Sequence, residues 1–202
     1  MTAVEAKRGR PRDQAVDQAV MEAVLDGLEE VGLASLSMEA IAARAGVGKA
    51  TIYRRWSSKE DLVIDVVAGL VGAIPVPLDG DIRTSLIEVL KRFRAFMSKM
   101  AAGAVFPWLV GEVAAGTEVG RHYAEAVILP RRQALAGVIQ AAVDRGELRA
   151  DLDVKMAVQL LMGPALMQRL LGPFLEQDEQ WEENLVDALL RGWVVGPVWP
   201  TG

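Results

Sequence analysis

The spacing of apolar residues is the feature that most constrains the fold of this chain. Near the N-terminal end, a set of apolar residues recurs every third or fourth residue, which places the set on one face of an α-helix. Its members are Val16, Val20, Val24, Leu28 and Val31. Beyond Asp81 the chain has no strand-like alternation of apolar and polar residues. It has instead a second stripe with helical spacing, formed by Leu86, Leu90, Phe93, Met97 and Met100. The sequence therefore predicts an all-α protein.

Capping residues set the boundaries of the first two predicted helices. The first is predicted over residues 14–31, with Asp13 as its N-cap and Gly32 as its end. The second begins at Ser37, whose hydroxyl can accept a hydrogen bond from a free amide of the first turn. It ends before Gly46, which can adopt the positive φ of a sharp turn. The sequence therefore predicts two helices, the second of which is followed by a tight turn at Gly46.

A short third helix is predicted over residues 49–56, directly after the glycine turn. The fourth follows the sequences Ser57-x-x-Glu60 and Ser58-x-x-Asp61, of which the first is a full capping box. Prolines in the linker that follows end this helix. Further helices are predicted over residues 82–101, 106–115, 118–146, 153–171 and 177–192, with kinks at Pro130 and Gly163-Pro164.

Cysteine is absent and His122 is the single histidine, which excludes most catalytic and metal chemistry. Disulfides, thiolate nucleophiles, zinc–thiolate sites and histidine-rich metal sites all need residues that the chain lacks. A Gly-x-Ser-x-Gly motif and a phosphate-binding loop are also absent. We therefore expect that the protein is not an enzyme and that it has no cofactor and no metal.

No segment of the sequence is suited to membrane insertion or export. The chain has neither the apolar run and cleavage site of a secretory signal nor an apolar stretch long enough to cross a bilayer. We expect a cytoplasmic protein with no membrane partner.

Positive charge is concentrated in one short segment, although the net charge of the chain is -5. This basic patch spans residues 44–59, contains no acidic residue, and consists of Arg44, Lys49, Arg54, Arg55 and Lys59. Such a cluster can neutralise DNA phosphates and release their counterions. It coincides with two short helices joined by a glycine turn, which is the geometry that lets the second helix enter the major groove. Charge and shape both indicate double-stranded DNA as the partner.

Three motifs in this region resemble the helix-turn-helix of the TetR family of transcriptional regulators. They are LSMEAIAARAGV (residues 36–47), TIY (51–53) and SKEDL (58–62). The resemblance covers about residues 14–74. It implies an N-terminal three-helix DNA-binding domain, joined by the fourth helix to a larger helical domain for effector binding and dimerisation. The predicted domains are a basic arm over residues 1–12, the helix-turn-helix domain over 13–74 and the larger domain over 81–202.

The resemblance also implies which side chains contact DNA. Base edges are assigned to Lys49, Ala50, Thr51 and Arg54, and phosphates to Ser37, Tyr53, Arg55 and Lys59. The chemistry agrees for the charged residues, since Lys49 can donate to guanine and Arg54 can bind guanine through two hydrogen bonds. Many relatives carry an aromatic–histidine–aromatic run after the tyrosine, whereas this chain has Arg54-Arg55-Trp56. This departure leaves open which arginine reads a base. Trp56 is expected to fill the core of the small domain.

A basic segment precedes the first predicted helix. Its sequence KRGRPR (residues 7–12) resembles the core of an AT-hook, in which extended arginines enter a narrow A·T minor groove. Arg8, Arg10 and Arg12 are the candidate minor-groove contacts, which would become ordered only on DNA. The alternative is a disordered tail that keeps the protein soluble.

The C-terminal part resembles one ligand-binding subgroup of the same family, through the segments PRR (130–132), RGELRADLD (145–153) and LMGP (161–164). This implies a small-molecule effector. An aromatic and methionine-rich set of residues can line an apolar pocket. The set is Phe93, Phe96, Met100, Trp108, His122, Tyr123 and Met167. Ordinary core packing is the alternative for each of them, and a structural role is the alternative for the histidine.

Members of the family dimerise through their last two helices, which here implies an interface at Val154, Val158, Leu161, Leu185 and Leu189. A dimer also fits the DNA geometry, because two recognition helices about 34 Å apart can read a palindromic operator. We therefore predict a homodimeric repressor that an unidentified small molecule releases from its operator. The alternatives are an activator without an effector and a helical module whose basic face binds an acidic protein or a membrane surface.

Overall fold

Helices form the framework of the chain. A computed structural model describes residues 10–72, 80–100, 105–175 and 178–194, and these ranges contain no strand. The prediction of an all-α fold is confirmed. None of the described helices has an apolar stretch long enough to cross a lipid bilayer.

In chain order the α-helices are α1 (Arg10–Ser35), α2 (Met38–Arg44), α3 (Lys49–Tyr53), α4 (Lys59–Gly72), α5 (Ile82–Met100), α6 (Val105–Ala115), α7 (Glu118–Tyr123), α8 (Leu129–Asp144), α9 (Val154–Leu171) and α10 (Trp181–Trp193). The helices belong to two compact units. The first unit contains the described residues up to Gly69 together with α6 and α7. The second contains α5, α8, α9 and α10.

The middle of the apolar face of α1 is buried in the first unit, as its periodicity predicts, but Val31 at the end of the predicted stripe is 52% exposed. The buried residues are Val20, Val24 and Leu28. The helix begins at Arg10, so the prediction of Asp13 as its N-cap is wrong. Pro11 is tolerated in this first turn because the first amides of a helix have no intrahelical partner. The predicted break at Gly32 is confirmed, since its φ of 71° interrupts the helical geometry.

The second unit is built around the apolar stripe of α5. Leu86 and Leu90 of α5 are fully buried, as are Ile139 of α8 and Leu161 of α9. These residues belong to one core cluster, to which α10 contributes Val186. The burial of this cluster supplies the main stabilisation of the unit, because apolar area removed from water is the largest favourable contribution to folding.

Two ion pairs at the surface join α5 to α10. Arg83 Nε lies 2.6 Å from Asp187 Oδ1, and Lys91 Nζ lies 2.6 Å from Glu183 Oε1. As the residue numbers rise along α5, those of the partners fall along α10. The two helices are therefore antiparallel neighbours.

The single helix predicted over residues 118–146 is divided into three parts. α7 ends at Tyr123, the segment Ala124–Ile128 is π-helical, and α8 begins at Leu129. Pro130 lies in the first turn of α8. Because proline has no N–H to donate to the preceding turn, the regular hydrogen-bond ladder cannot pass through it. The irregularity predicted at Pro130 is therefore present, as a π-helical segment directly before it.

Gly120 of α7 lies against the backbone of α6. A Cβ added at Gly120 would lie 2.2 Å from the carbonyl oxygen of Glu112. We predict that Gly120→Ala lowers the free energy of unfolding by about 1–3 kcal/mol, because the backbone of α6 must shift to admit the methyl group. Urea unfolding measures the change.

Gly137 of α8 supplies the matched control, since a Cβ added there meets no atom within 4 Å. Gly137→Ala should leave stability unchanged or raise it by up to about 1 kcal/mol, because alanine is the better helix former. Equal stabilities of the two alanine variants would contradict the close approach of α7 to α6.

Candidate nucleic-acid interface

A tight turn between α2 and α3 orients the candidate DNA-binding surface. Ser37 caps α2 as predicted, and its Oγ accepts the N–H of Ala40 at 3.2 Å. Gly46 has a φ of 66°, the left-handed conformation that favours glycine. Ile41 of α2 and Ile52 of α3 are both buried. The opposite face of α3 is therefore at the surface.

This outer face carries the residues assigned to base edges. Lys49, Ala50 and Arg54 are exposed, and Thr51 is half-buried. Among the residues that the structure describes, none forms an ion pair or hydrogen bond with the Arg54 guanidinium. Its five N–H donors are available for a partner outside the chain.

The third helix is shorter than predicted. It ends at Tyr53, because Trp56 turns inward, where the side chain is 9% exposed and its Nε1 donates to Asp65 Oδ2 of α4 at 2.8 Å. The prediction that Trp56 fills the core is confirmed. Of the two predicted capping sequences, the second caps α4, since Ser58 Oγ accepts the N–H of Asp61 at 3.0 Å.

Acidic residues accompany the basic patch. Arg44 donates to Glu30 of α1 through both terminal nitrogens, with Nη1 to Oε1 at 2.9 Å. Lys49 Nζ lies 3.9 Å from Oε1 of Glu39, a residue of α2. These pairs are exposed, and exposed ion pairs are weak and screened by salt. DNA phosphates can therefore replace the carboxylates at little cost.

Two other cations of the patch are held more firmly. Arg55 forms an ion pair with Asp17 of α1, and its guanidinium lies 4.7 Å from the ring centroid of Trp56. Lys59 Nζ donates to the carbonyl oxygen of Leu33 at 2.9 Å. Both cations therefore lie close to α1, which limits the distance that each can reach from the surface.

Hydrogen bonds across this surface shift pKa values in the direction that preserves charge. The hydrogen bond from Arg44 holds the pKa of the Glu30 carboxyl below its ordinary value. The same bond raises the pKa of the Arg44 guanidinium. The surface is therefore a mixture of ionised cations and carboxylates at neutral pH.

The structure corrects part of the predicted N-terminal arm. Arg8 lies outside the described residues. Arg10 and Arg12 lie in the first turn of α1, so their backbone is helical in the free chain where an extended AT-hook conformation was expected. Their side chains are outside the described part of the structure. The minor-groove role of the three arginines remains a prediction.

A polar cluster on α4 was missing from the sequence predictions. His122 Nδ1 of α7 lies 3.2 Å from Asp61 Oδ1, and His122 Nε2 lies 4.0 Å from Asp65 Oδ1. Asp65 is also the acceptor for Trp56. The cluster therefore connects His122 of α7, through the two aspartates of α4, to Trp56, which follows the recognition helix α3. The capping sequence predicted Asp61 in the first turn of α4. Its contact with His122 could not be predicted, because the two residues are 61 positions apart in the sequence.

The structure distributes the candidate pocket residues over the two units. Those that are buried or half-buried are Phe93 and Phe96 in the second unit, and Trp108, His122 and Tyr123 in the first. Burial raises the pKa of Tyr123 to about 12. Met167 is 51% exposed on α9, and the side chain of Met100 lies outside the described residues. Their joint role in binding an effector remains a prediction.

Two residues of the predicted dimer interface are buried in the core of their own chain. Val158 and Leu161 are 3% and 0% exposed, so neither side chain is on the surface. Val154, Leu185 and Leu189 are half-buried against the same core. α9 is apolar on two faces, and periodicity alone could not show which one turns inward. The exposed apolar residues of α9 are Met156, Leu160, Leu166, Met167, Leu170 and Leu171.

Comparisons with protein families match both parts of the chain. Residues 21–66 match the model of bacterial regulatory proteins of the TetR family. Residues 76–189 match the model of the tetracyclin repressor-like C-terminal domain. The HTH-type transcriptional regulator YdeS of Bacillus subtilis is 30% identical over 190 residues, which cover 94% of this chain and 95% of that protein.

Solved structures have the same fold. A crystal structure of a TetR family transcription regulator is 30% identical, with a TM-score of 0.74, and the match covers 90% of this chain and 99% of that one. The transcriptional regulator FadR of Bacillus subtilis, crystallised with stearoyl-CoA, is 20% identical with a TM-score of 0.64 over 90% of this chain and 99% of that one. The proteins to which this chain is similar are regulators of transcription and not enzymes.

The polar cluster on α4 predicts a pH-dependent contribution to stability. Hydrogen bonds from Ser57, and to a smaller extent from Ser58 and His122, lower the pKa of the Asp61 carboxyl from its ordinary value of 3.8, against an opposing effect of burial. A carboxyl with a lowered pKa stabilises the folded state above its unfolded pKa, and this contribution is lost as the pH falls through the folded pKa.

We predict that Asp61→Asn lowers the free energy of unfolding at pH 7 by about 1 kcal/mol, because hydrogen bonds to a charged acceptor are the stronger ones. Its difference from the wild type should begin to shrink below about pH 4, near the unfolded pKa, and disappear as the pH falls through the lowered pKa of the folded carboxyl. Ser57→Ala should weaken this pH dependence. Urea unfolding from pH 3 to pH 7 tests it, and a constant difference over that range would refute the assignment.

Proposed function

Because this chain belongs to the TetR family of bacterial transcriptional regulators, we propose that it is a homodimeric repressor that a small molecule releases from a palindromic DNA operator. The observation that supports this function best is the exposed outer face of α3, with an Arg54 guanidinium available for a base edge. The protein acts where its operator is, in the cytoplasm.

In this proposal α3 enters the major groove of the operator. Lys49 and Arg54 donate to guanine acceptors, and Thr51 contacts a base through its hydroxyl or its methyl group. Phosphates on either side bind Ser37, Tyr53, Arg55 and Lys59. The contacts of Arg55 and Lys59 with α1 suit this division, because a cation held close to the protein body can bind the backbone of the duplex and not the floor of the groove.

The exposed apolar face of α9 is the surface that we propose for dimerisation. Met156, Leu160, Met167 and Leu171 follow one another at helical spacing and are 43–51% exposed. A monomer leaves this face in contact with water, which a soluble chain seldom does over a large area. Pairing through α9 and α10 of two copies buries it and provides the second recognition helix that a palindrome requires.

The effector is proposed to bind within the larger helical domain, residues 81–202. FadR of Bacillus subtilis shares the fold and was crystallised with stearoyl-CoA, which supports a binding function for such a domain without naming the ligand of this chain. The effector would favour a dimer geometry in which the two α3 helices no longer match successive major grooves. Release then follows from a shift in population between two dimer geometries.

Arg54 and Lys59 have different predicted effects on operator binding. Arg54→Ala should relax the base preference at one position of each half-site, at a cost of about 1–3 kcal/mol for that base pair. Lys59→Ala should weaken binding to all duplexes alike, because it removes a phosphate contact. Competition binding with single-base operator variants distinguishes the two, and thermal melting checks that Lys59→Ala still folds. Equal losses on every sequence for both variants would refute base reading by Arg54.

The proposed dimer surface is tested by a charge on α9. Leu160→Glu should convert the dimer to a monomer, because two carboxylates would have to be buried in a symmetric interface. Leu129→Glu on α8 is the control, since Leu129 is 55% exposed but lies outside the proposed surface. Sedimentation measures the molecular mass. A dimeric Leu160→Glu variant would show that this face of α9 is not the interface.

A further inference from the structure

One carboxylate lies among the residues that are proposed to contact DNA. Glu39, in the first turn of α2, accepts a hydrogen bond from the hydroxyl of Tyr53 at 3.0 Å. The same oxygen, Oε1, lies 3.9 Å from Lys49 Nζ. A single acidic group therefore contacts one side chain assigned to phosphate and one assigned to a base edge. All three side chains are accessible to solvent.

The contacts keep Glu39 in its charged form. A hydrogen bond from its own backbone N–H, followed by the hydrogen bond from Tyr53, lowers the pKa of the Glu39 carboxyl; burial opposes this shift, and the charge of Lys49 adds a smaller lowering. The partner is affected in the complementary sense, since the hydrogen bond to Glu39 raises the pKa of the Tyr53 hydroxyl. Glu39 is therefore an anion at neutral pH.

A fixed anion in this position has unequal effects on different duplexes. Any duplex brings phosphates towards Glu39 and competes with that carboxylate for Lys49. On a random sequence a phosphate would only replace one weak ion pair with another, so Lys49 gains nothing by leaving Glu39 and adds no phosphate contact. On the operator, Lys49 also gains hydrogen bonds to a base edge that random DNA does not offer in the correct place.

We propose that Glu39 is a specificity-determining residue, which holds Lys49 and Tyr53 in the free protein and selectively weakens binding to DNA that lacks the operator sequence. The inference rests on the proposed function of α3 as the recognition helix. In this proposal an acidic residue beside the basic patch contributes to the choice of DNA sequence. Lower affinity for random DNA leaves more of the protein available for its operator.

Glu39→Gln is the variant that isolates charge, because glutamine keeps the length of the side chain and an acceptor for the Tyr53 hydroxyl. Two duplexes are used at several salt concentrations, a 30-base-pair random sequence and a duplex enriched by selection from a random pool. Freed from Glu39, Lys49 adds one phosphate contact on random DNA. The slope of log K against log salt should then steepen by about 0.9, which multiplies affinity by about eight for each tenfold decrease in salt.

Operator affinity should rise much less, so the ratio of operator to random-sequence affinity falls in Glu39→Gln. Glu29→Gln is the matched control, because it removes the same charge from an exposed position on α1. That variant should leave the ratio unchanged. A ratio in Glu39→Gln equal to that of the wild type, or a fall of the same size in Glu29→Gln, would overturn the proposal.

Lys49→Met provides a second test that does not depend on how Glu39→Gln folds. In the wild type, Lys49 is paired with Glu39 on random DNA and contacts a base edge only on the operator. The loss of Lys49 should therefore reduce operator affinity more than random-sequence affinity. In the Lys49→Met background, Glu39→Gln should no longer steepen the salt dependence on random DNA. Equal losses on both duplexes, or full additivity of the two substitutions, would contradict the proposal.

These experiments distinguish a failure of the proposed function of α3 from a failure of the proposed role of Glu39. If α3 does not read DNA, selection enriches no common sequence and Arg54→Ala changes no base preference. If α3 reads DNA but Glu39 does not set specificity, a common sequence is enriched and the affinity ratio is unaffected by Glu39→Gln.

Discussion

The DNA-facing surface depends on one packing constraint, the burial of Ile41 and Ile52 on either side of the turn at Gly46. Because an α-helix turns by a fixed angle at each residue, burying Ile52 determines which residues of α3 point outwards. A helix of five residues has little stability of its own, so its orientation comes from this contact and from the inward turn of Trp56. The chemistry of the outer face is thus a consequence of the small core beneath it.

Charge on that surface is balanced and not simply positive. Arg44, Lys49 and Arg55 of the patch lie near carboxylates of α1 and α2, and Lys59 donates to a backbone carbonyl oxygen, whereas the described chain offers Arg54 no ion pair or hydrogen bond for its guanidinium. Weak, exposed ion pairs keep long side chains near their positions and are easily exchanged for phosphates. This arrangement is also consistent with the net charge of -5, which alone would argue against a nucleic-acid partner.

Local features of the structure were predictable, and distant contacts were not. The Ser37 cap, the positive φ of Gly46 and the buried Trp56 each follow from a few neighbouring residues, and all three are confirmed. The contact of His122 with Asp61 joins residues 61 positions apart, which periodicity cannot detect.

Helix α9 illustrates a second limit of sequence patterns. It is apolar on two faces, and the pattern identified the helix without showing that Val158 and Leu161 face inwards. Glu39 lies within the segment that carries the family resemblance, but the sequence did not indicate its contacts with Tyr53 and Lys49. In both cases the missing information was the tertiary neighbour and not the helix itself.

The measurement that tests the central claim most directly is selection of the duplexes that the purified protein binds from a random pool. We predict enrichment of two inverted half-sites, with centres about one helical turn or a multiple of it apart, because a symmetric dimer places two copies of α3 on one face of the duplex. A bound pool with no common sequence, or with a single unrepeated site, would contradict the claim that α3 reads DNA as one half of a symmetric pair.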